Sequence, residues 1–308
     1  MKITSLEVYQ TFLPLVDGSY AWSDGKSVDQ YDSTVVIIHT DTGLQGCGEA
    51  VPLGPNYLPS YAAGVRAGIR ELGPKLIGQD PTQLETLNHH MDYHLKGHPY
   101  VKTAIDMACW DILGKVSGLP INTLMGGNFH PEGIPLYRAI SQGTPEEMAS
   151  TIRKYKDQGY TRFQLKLGGD PDVDIVRIKR CRAELDRSDI LIGDSNTGWT
   201  THQALRIVAA VRNEDVYIEQ PCPSYQECLM VRRHTDLPFV LDEVVDDIHS
   251  LLAVHKDGAA DVVNIKISKF GGLTKARQAV NLCQRLGLAA TIEDTWGGDI
   301  RYNSVNPF

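Results

Sequence analysis

Six polar side chains recur through the second half of the chain at intervals of 23–28 residues: Lys166, Asp194, Glu219, Asp242, Lys266 and Glu293. Each lies in or ends a short apolar segment: "RFQLKLGG", "ILIGDSN", "VYIEQP", "FVLDE", "VVNIKIS" and "AATIEDT". Such segments read as strands. Amphipathic stretches such as "PEEMASTIRKYKDQG" and "LTKARQAVNLCQRLG" lie between strand candidates. An interval of one strand plus one helix implies parallel βαβ units. With "PLYRAIS" ahead of them the strand candidates number seven, which predicts a (β/α) barrel more than an open sheet. In such barrels the residues at the carboxyl ends of the strands gather on one rim, where active sites lie.

The first of these strands alternates Phe163, Leu165 and Leu167 with Gln164 and Lys166, so one face is apolar and the other carries an amide and an amine. Around Lys266 the same split recurs: Val263, Ile265 and Ile267 on one face, Asn264, Lys266 and Ser268 on the other. Two lysines therefore point into the barrel, flanking Asp194, Glu219 and Asp242. A lone acid at a strand end also serves to cap the next helix. Three in register are instead the hard oxygen donors that Mg²⁺ takes. The lysines either bridge to that carboxylate ring or act as an acid/base pair on two sides of a metal-bound substrate. For the second role burial, a neighbouring ammonium and the metal lower a lysine pKa, whereas carboxylates raise it, and a net downward shift would leave usable neutral amine near pH 7.

The first half, to about residue 130, reads differently. "TSLEVYQTF" and "STVVIIHT" are strands, "TDTGLQGCGEA" carries a hairpin turn, and three helix-like segments follow. The expected organisation is an α+β capping domain over 1–130, with loops closing over the barrel mouth, and a (β/α) barrel over 131–308. In the 308 residues the net charge of −8 argues against a nucleic-acid backbone binder, and no apolar run reaches a membrane span. The start lacks a signal-peptide core, so a cytoplasmic protein is expected. The six scattered cysteines read as reduced thiols.

"QLKLGG", "GDSNTGW", "IEQP", "LDE" and "NIKISKFGG", together with "AIDMACWDILGK" and "PINTLMGG", resemble the enolase superfamily, in its muconate-lactonizing-enzyme-like subgroup, over essentially the whole chain. The resemblance implies one Mg²⁺ per subunit on Asp194, Glu219 and Asp242, Lys166 and Lys266 as the acid/base pair, a small amino-acid substrate and a homo-oligomer. Two departures stand out. Gln164 occupies the first position of the subgroup's usual Lys-x-Lys. After "WGGDI" the chain reads "RYNSVNPF", unlike the superfamily's continuation into an eighth strand. The expected fold is thus a (β/α)7β-type TIM barrel lacking its last strand, and a truncated, non-catalytic product is the alternative of another class.

Within the subgroup "EDTWGGDI", "YRAISQ" and "KGHPY" are most similar to enzymes of proline derivatives. This implies dehydration of cis-3-hydroxy-L-proline, with 2-epimerisation of a proline betaine or amino-acid derivative as the alternative. Trp296 can stack on a cationic ring amine, and Glu293 or Asp294 can pair with it. Trp22, Lys26 and Tyr57 are expected in loops of the capping domain. His98 either touches substrate or is structural. No histidine follows the sixth strand, which argues against a histidine-dependent sugar-acid dehydratase.

Overall fold

A computed structural model of the chain describes residues 1–16, 18–127, 134–298 and 300. The first part comprises β1 (Ile3–Pro14), β2 (Tyr20–Trp22), β3 (Lys26–Val28), β4 (Gln30–Thr40), β5 (Gln45–Ala50), α1 (Ala62–Leu76), α2 (Leu84–His94), α3 (Pro99–Ser117) and the short α4 (Ile121–Leu124). β1, β4 and β5 form an antiparallel sheet, and β2 and β3 pair as a separate hairpin. Trp22 and Lys26, expected in loops, therefore sit on this hairpin. Three-residue strands are too short for alternation to reveal, and the turn between them uses left-handed Asp24 (φ 58°) and Gly25 (φ 69°).

α3 is apolar on nearly every side and is buried along most of its length, as such a helix must be. β5 crosses it so closely that a Cβ on Gly46 or Gly48 would overlap the backbone carbonyl of Ala108 or Ala104. The glycines of "GLQGCGEA" are thus a packing requirement, beyond the turn they signal in sequence.

The second part repeats strand and helix: β6 (Arg138–Ile140), α5 (Pro145–Lys156), β7 (Arg162–Lys166), α6 (Pro171–Arg182), β8 (Ile190–Asp194), α7 (Thr201–Ala210), β9 (Tyr217–Glu219), α8 (Tyr225–Arg232), β10 (Phe239–Leu241), α9 (Ile248–Asp257), β11 (Val262–Lys266), α10 (Ile267–Phe270), α11 (Leu273–Leu286) and β12 (Ala289–Glu293). Each strand pairs in parallel with the next in sequence, in the order β12-β11-β10-β9-β8-β7-β6. Four helices start with reciprocal capping boxes: Thr144 with Glu147, Thr200 with Gln203, Ser224 with Glu227, Asp247 with Ser250.

Period two then decides which side chains look inward. Phe163, Leu165, Leu191, Ile218, Phe239, Leu241, Val263 and Ile265 face the helices and are fully buried. Their neighbours, among them Gln164, Ile192, Tyr217, Val240 and Val262, line the barrel interior. Ser268 departs from the expected alternation. β11 ends at Lys266, and Ser268 lies in the helical turn α10, where its hydroxyl donates to Asp294 Oδ2 at 3.1 Å. Among the described residues β6 and β12 are the edges of this curled sheet and are not paired with each other. "RYNSVNPF" lies outside the described residues. Among the described residues no helix is long and apolar enough to cross a membrane.

The two parts are fastened by polar contacts, buried at Asp106 and partly exposed at Asp92. Asp106 of α3 accepts from Thr274 N (3.0 Å), Thr274 Oγ1 (2.6 Å) and Asn88 Nδ2 (2.6 Å). Asp92 pairs with both Lys102 and Lys275 at 2.6 Å. Gly48→Ala should test the tightest packing in the first part. With backbone as the obstacle, overpacking of this kind costs about 1–3 kcal/mol or more. The urea midpoint should fall accordingly, whereas Gly43→Ala at the exposed turn, where φ is 81° but space is open, should cost less.

Candidate active site

The parallel register delivers Lys166, Asp194 and Glu219 to one level: Lys166 is paired with Asp194, and Asp194 with Glu219. Asp242 follows β10 directly, and Lys266 is level with Glu293. All six stand on the carboxyl-terminal rim. They are bonded in a lattice. Lys166 Nζ lies 2.5 Å from Asp194 Oδ2. Lys266 Nζ contacts Asp242 Oδ2 and lies 3.1 Å from Glu293 Oε1. Glu219, held between them, accepts from Gln164 Nε2 at 2.7 Å and Asn264 Nδ2 at 3.2 Å. Gln164 is thus a neutral donor where the subgroup's pattern has an ammonium. Because each carboxylate is turned to an ammonium or amide, no three of the described His, Cys, Asp and Glu side chains enclose a single metal position as they stand.

Several participants carried no signal of their own in the strand pattern. Lys269, one helical turn after Lys266, is 3% exposed; its ammonium bonds Asp242 Oδ1 at 2.7 Å and the Asp242 carbonyl. Glu243 accepts from Asn196 Nδ2 at 3.1 Å, while its Oε2 and Asn196 Oδ1 are buried without a hydrogen-bond partner among the described residues. The spacing Lys266-x-x-Lys269 and the acid pair Asp242–Glu243 are visible in sequence, but their burial is not. From the first part Tyr57 hydrogen bonds with Lys266 and with Asp242 Oδ2, and Tyr20 lies near enough to Lys166 to raise it electrostatically. Each inward lysine therefore meets one tyrosine from the cap.

Both lysines are shifted upward. Burial alone would lower Lys166, but Asp194, Tyr20 and Glu219 outweigh it; for Lys266, burial is outweighed chiefly by Asp242 and Glu243. Asp242, despite burial, is held well below the usual carboxylate range by Lys266 and Lys269. The remaining acids move the other way. Burial, with Asp194 and Asp242 nearby, pushes Glu219 up to about 7. Burial and the charges of Asp242 and Asp194 push Glu243 to about 8, and burial with Asp294 pushes Glu293 to about 8.

Trp22, Tyr57, Glu293, Asp294 and Trp296 all line the same cleft, of about 1700 Å³, with Lys166 and Lys266. Their engagements differ. Trp296 stacks on Tyr31 at 5.0 Å and meets Tyr20 edge-on at 5.0 Å. Trp22 is 2% exposed beside Tyr20, its indole N–H without a partner among the described residues. Asp294 accepts from the backbone N–H and hydroxyl of Ser268. Lys26 pairs with Asp24 at 3.4 Å, and His98 is an exposed residue before α3; neither lines the cleft.

Residues 24–126 match the family described as mandelate racemase / muconate lactonizing enzyme, N-terminal domain, and residues 147–303 match enolase C-terminal domain-like. A cis-3-hydroxy-L-proline dehydratase of Roseibium aggregatum is 55% identical over 300 residues, 97% of this chain and 82% of that protein. An N-succinyl-L-Arg/Lys racemase of Bacillus cereus is 32% identical, over 95% of this chain and 79% of that one. Among solved structures, an enolase superfamily member from Roseovarius nubinhibens complexed with magnesium has a TM-score of 0.92 at 39% identity, covering 99% of this chain and 82% of that one.

The raised acids set a pH dependence. A carboxyl whose folded pKa exceeds its unfolded value of 4.5 binds more protons when folded, so its contribution to stability is present below pH 4.5 and is lost as pH rises through about 8. In chelator, the melting temperature should fall across that window. Glu293→Gln should flatten the fall in part, with Glu219 and Glu243 supplying the remainder; an unchanged slope would show that Glu293 is not a raised acid.

Proposed function

The chain belongs to the mandelate racemase/muconate lactonizing enzyme family of the enolase superfamily, and from that premise we propose that it is a hydro-lyase converting cis-3-hydroxy-L-proline to Δ1-pyrroline-2-carboxylate. The observation that carries the proposal is the arrangement of Lys166 and Lys266 on β7 and β11, separated by three strands that end in carboxylates. The 55% identity to a dehydratase of that substrate supports the choice of reaction.

The donor types present suit a divalent cation, although the side chains are not gathered about one point as they stand. Asp194, Glu219 and Asp242 are hard oxygen donors on or directly after adjacent strands, the donor type such an ion takes. Glu243 Oε2 and Asn196 Oδ1, buried without a hydrogen-bond partner among the described residues, would offer further acceptors nearby. Asp194, Glu219 and Asp242 would hold Mg²⁺, which when bound supplies positive charge to a substrate carboxylate and so makes its α-proton removable. Charge on the carboxylates that is shared with a cation no longer raises the lysines, so Lys166 and Lys266 are released toward the neutral amine.

In cis-3-hydroxy-L-proline the hydroxyl lies on the same ring face as the carboxylate, opposite the α-hydrogen, so elimination is anti. One lysine amine takes the α-proton on one face. The other lysine, as an ammonium, gives a proton to the departing hydroxyl on the other, and water leaves. The resulting C2=C3 enamine tautomerises to the imine. Trp296 and the carboxylate of Glu293 or Asp294 would receive the ring amine, and Tyr20 and Tyr57, closing from the cap, keep both lysines in place and exclude water. The same pair returning a proton to the opposite face gives 2-epimerisation, the second reading, which the racemase relative favours.

Incubation with cis-3-hydroxy-L-proline and Mg²⁺ in D₂O, followed by NMR, separates these outcomes. Pyrroline formation is expected. Deuterium at C2 with inverted configuration and retained hydroxyl would favour the epimerase, and neither change would sink both. Lys166→Ala and Lys266→Ala should each lower dehydration by about 10²–10⁴-fold or more, the range of a general acid or base. Mg²⁺ should raise the melting temperature of the native chain.

A further inference from the structure

Gln220 follows Glu219 and is completely buried. Its backbone is left-handed, φ 37°, as are Asn196 (φ 43°) and Thr197 (φ 67°) after the preceding strand. For residues other than glycine this conformation persists only where surrounding contacts impose it. Those contacts are specific. The Gln220 carbonyl accepts from Ser195 Oγ at 2.8 Å and Thr197 N at 3.0 Å, and its own N–H donates to Val240 O at 3.0 Å. Its side chain continues the chain of bonds: Oε1 accepts from Asp242 N at 2.9 Å, and Nε2 donates to Cys222 O at 3.0 Å beside Cys228 Sγ.

One residue thus touches the segments that carry all three acids: it adjoins Glu219, holds the turn after Asp194, and anchors the backbone of Asp242. It does not line the cleft. Only a carboxamide meets both ends of the side chain, an acceptor for an N–H and a donor for a carbonyl. We propose that Gln220 is a positioning residue that sets the mutual placement of Asp194, Glu219 and Asp242, so that divalent-cation affinity depends on a side chain that never touches the cation. The inference rests on the reading that these three acids hold the ion.

The test is a Mn²⁺ titration of the full chain, read as the electron paramagnetic resonance of free Mn²⁺, with thermal unfolding in chelator as the control for fold. Gln220→Glu keeps the acceptor for Asp242 N–H but sets an oxygen against Cys222 O. Gln220→Asn suits a left-handed backbone and keeps the amide, but is one methylene too short to reach Asp242. Both should bind Mn²⁺ at least tenfold more weakly than the native chain while still unfolding cooperatively. Lower melting temperatures with Mn²⁺ affinity within twofold of native, in either folded variant, would overturn the inference. A native chain that binds no Mn²⁺ would overturn the three-acid reading, and the inference with it.

Discussion

The mouth of the barrel is organised by a charge imbalance. Buried carboxylates at the ends of neighbouring parallel strands repel one another across a few ångströms, and burial removes the water that would screen them. The arrangement of side chains answers in two ways. Lys166, Lys266 and Lys269 fold onto Asp194 and Asp242, and Glu219, Glu243 and Glu293 move their pKa values toward neutrality. Everything else at the site adjusts to this: the neutral donors Gln164 and Asn264 on Glu219, and the tyrosines that reach down from the cap.

The cap is as much a part of that lattice as the barrel is. Ala21 O receives the Gln142 N–H, and Ser23 Oγ donates to Asn196 O, so the β2–β3 hairpin is tied beside the strand ends. Behind it, α3 carries the buried Asp106 against Gly272, whose φ of 130° and lack of a Cβ allow the approach. The hairpin brings Tyr20 to Lys166, and the loop after β5 brings Tyr57 to Lys266. Contacts from both parts of the chain therefore meet at the lysines.

Much of the barrel was legible from strand periodicity alone, since period two and a near-constant βα interval leave little choice about which residues face inward. The same periodicity misled at Ser268, because a strand pattern cannot announce that the backbone turns helical after Lys266. It also missed the β2–β3 hairpin, where three-residue strands have no period to detect. Five of the site's participants, Tyr20, Asn196, Gln220, Glu243 and Lys269, sit in turns or on short elements. Their identity is plain in sequence, but their direction is set by contacts between segments.

What the amino-acid sequence by itself determined is the repeat, the rim on which Lys166, Asp194, Glu219, Asp242, Lys266 and Glu293 meet, and through "NIKISKFGG" and its companions the superfamily. These are local properties, carried by alternation and spacing. Only the tertiary structure decided the protonation balance. Whether a buried lysine moves up or down depends on which carboxylates lie within bonding distance and on how much water they retain, and the upward shift of Lys166 and Lys266 follows from partners some 24–28 residues away in sequence. Folding brings those partners together, and no local pattern records the distance between them.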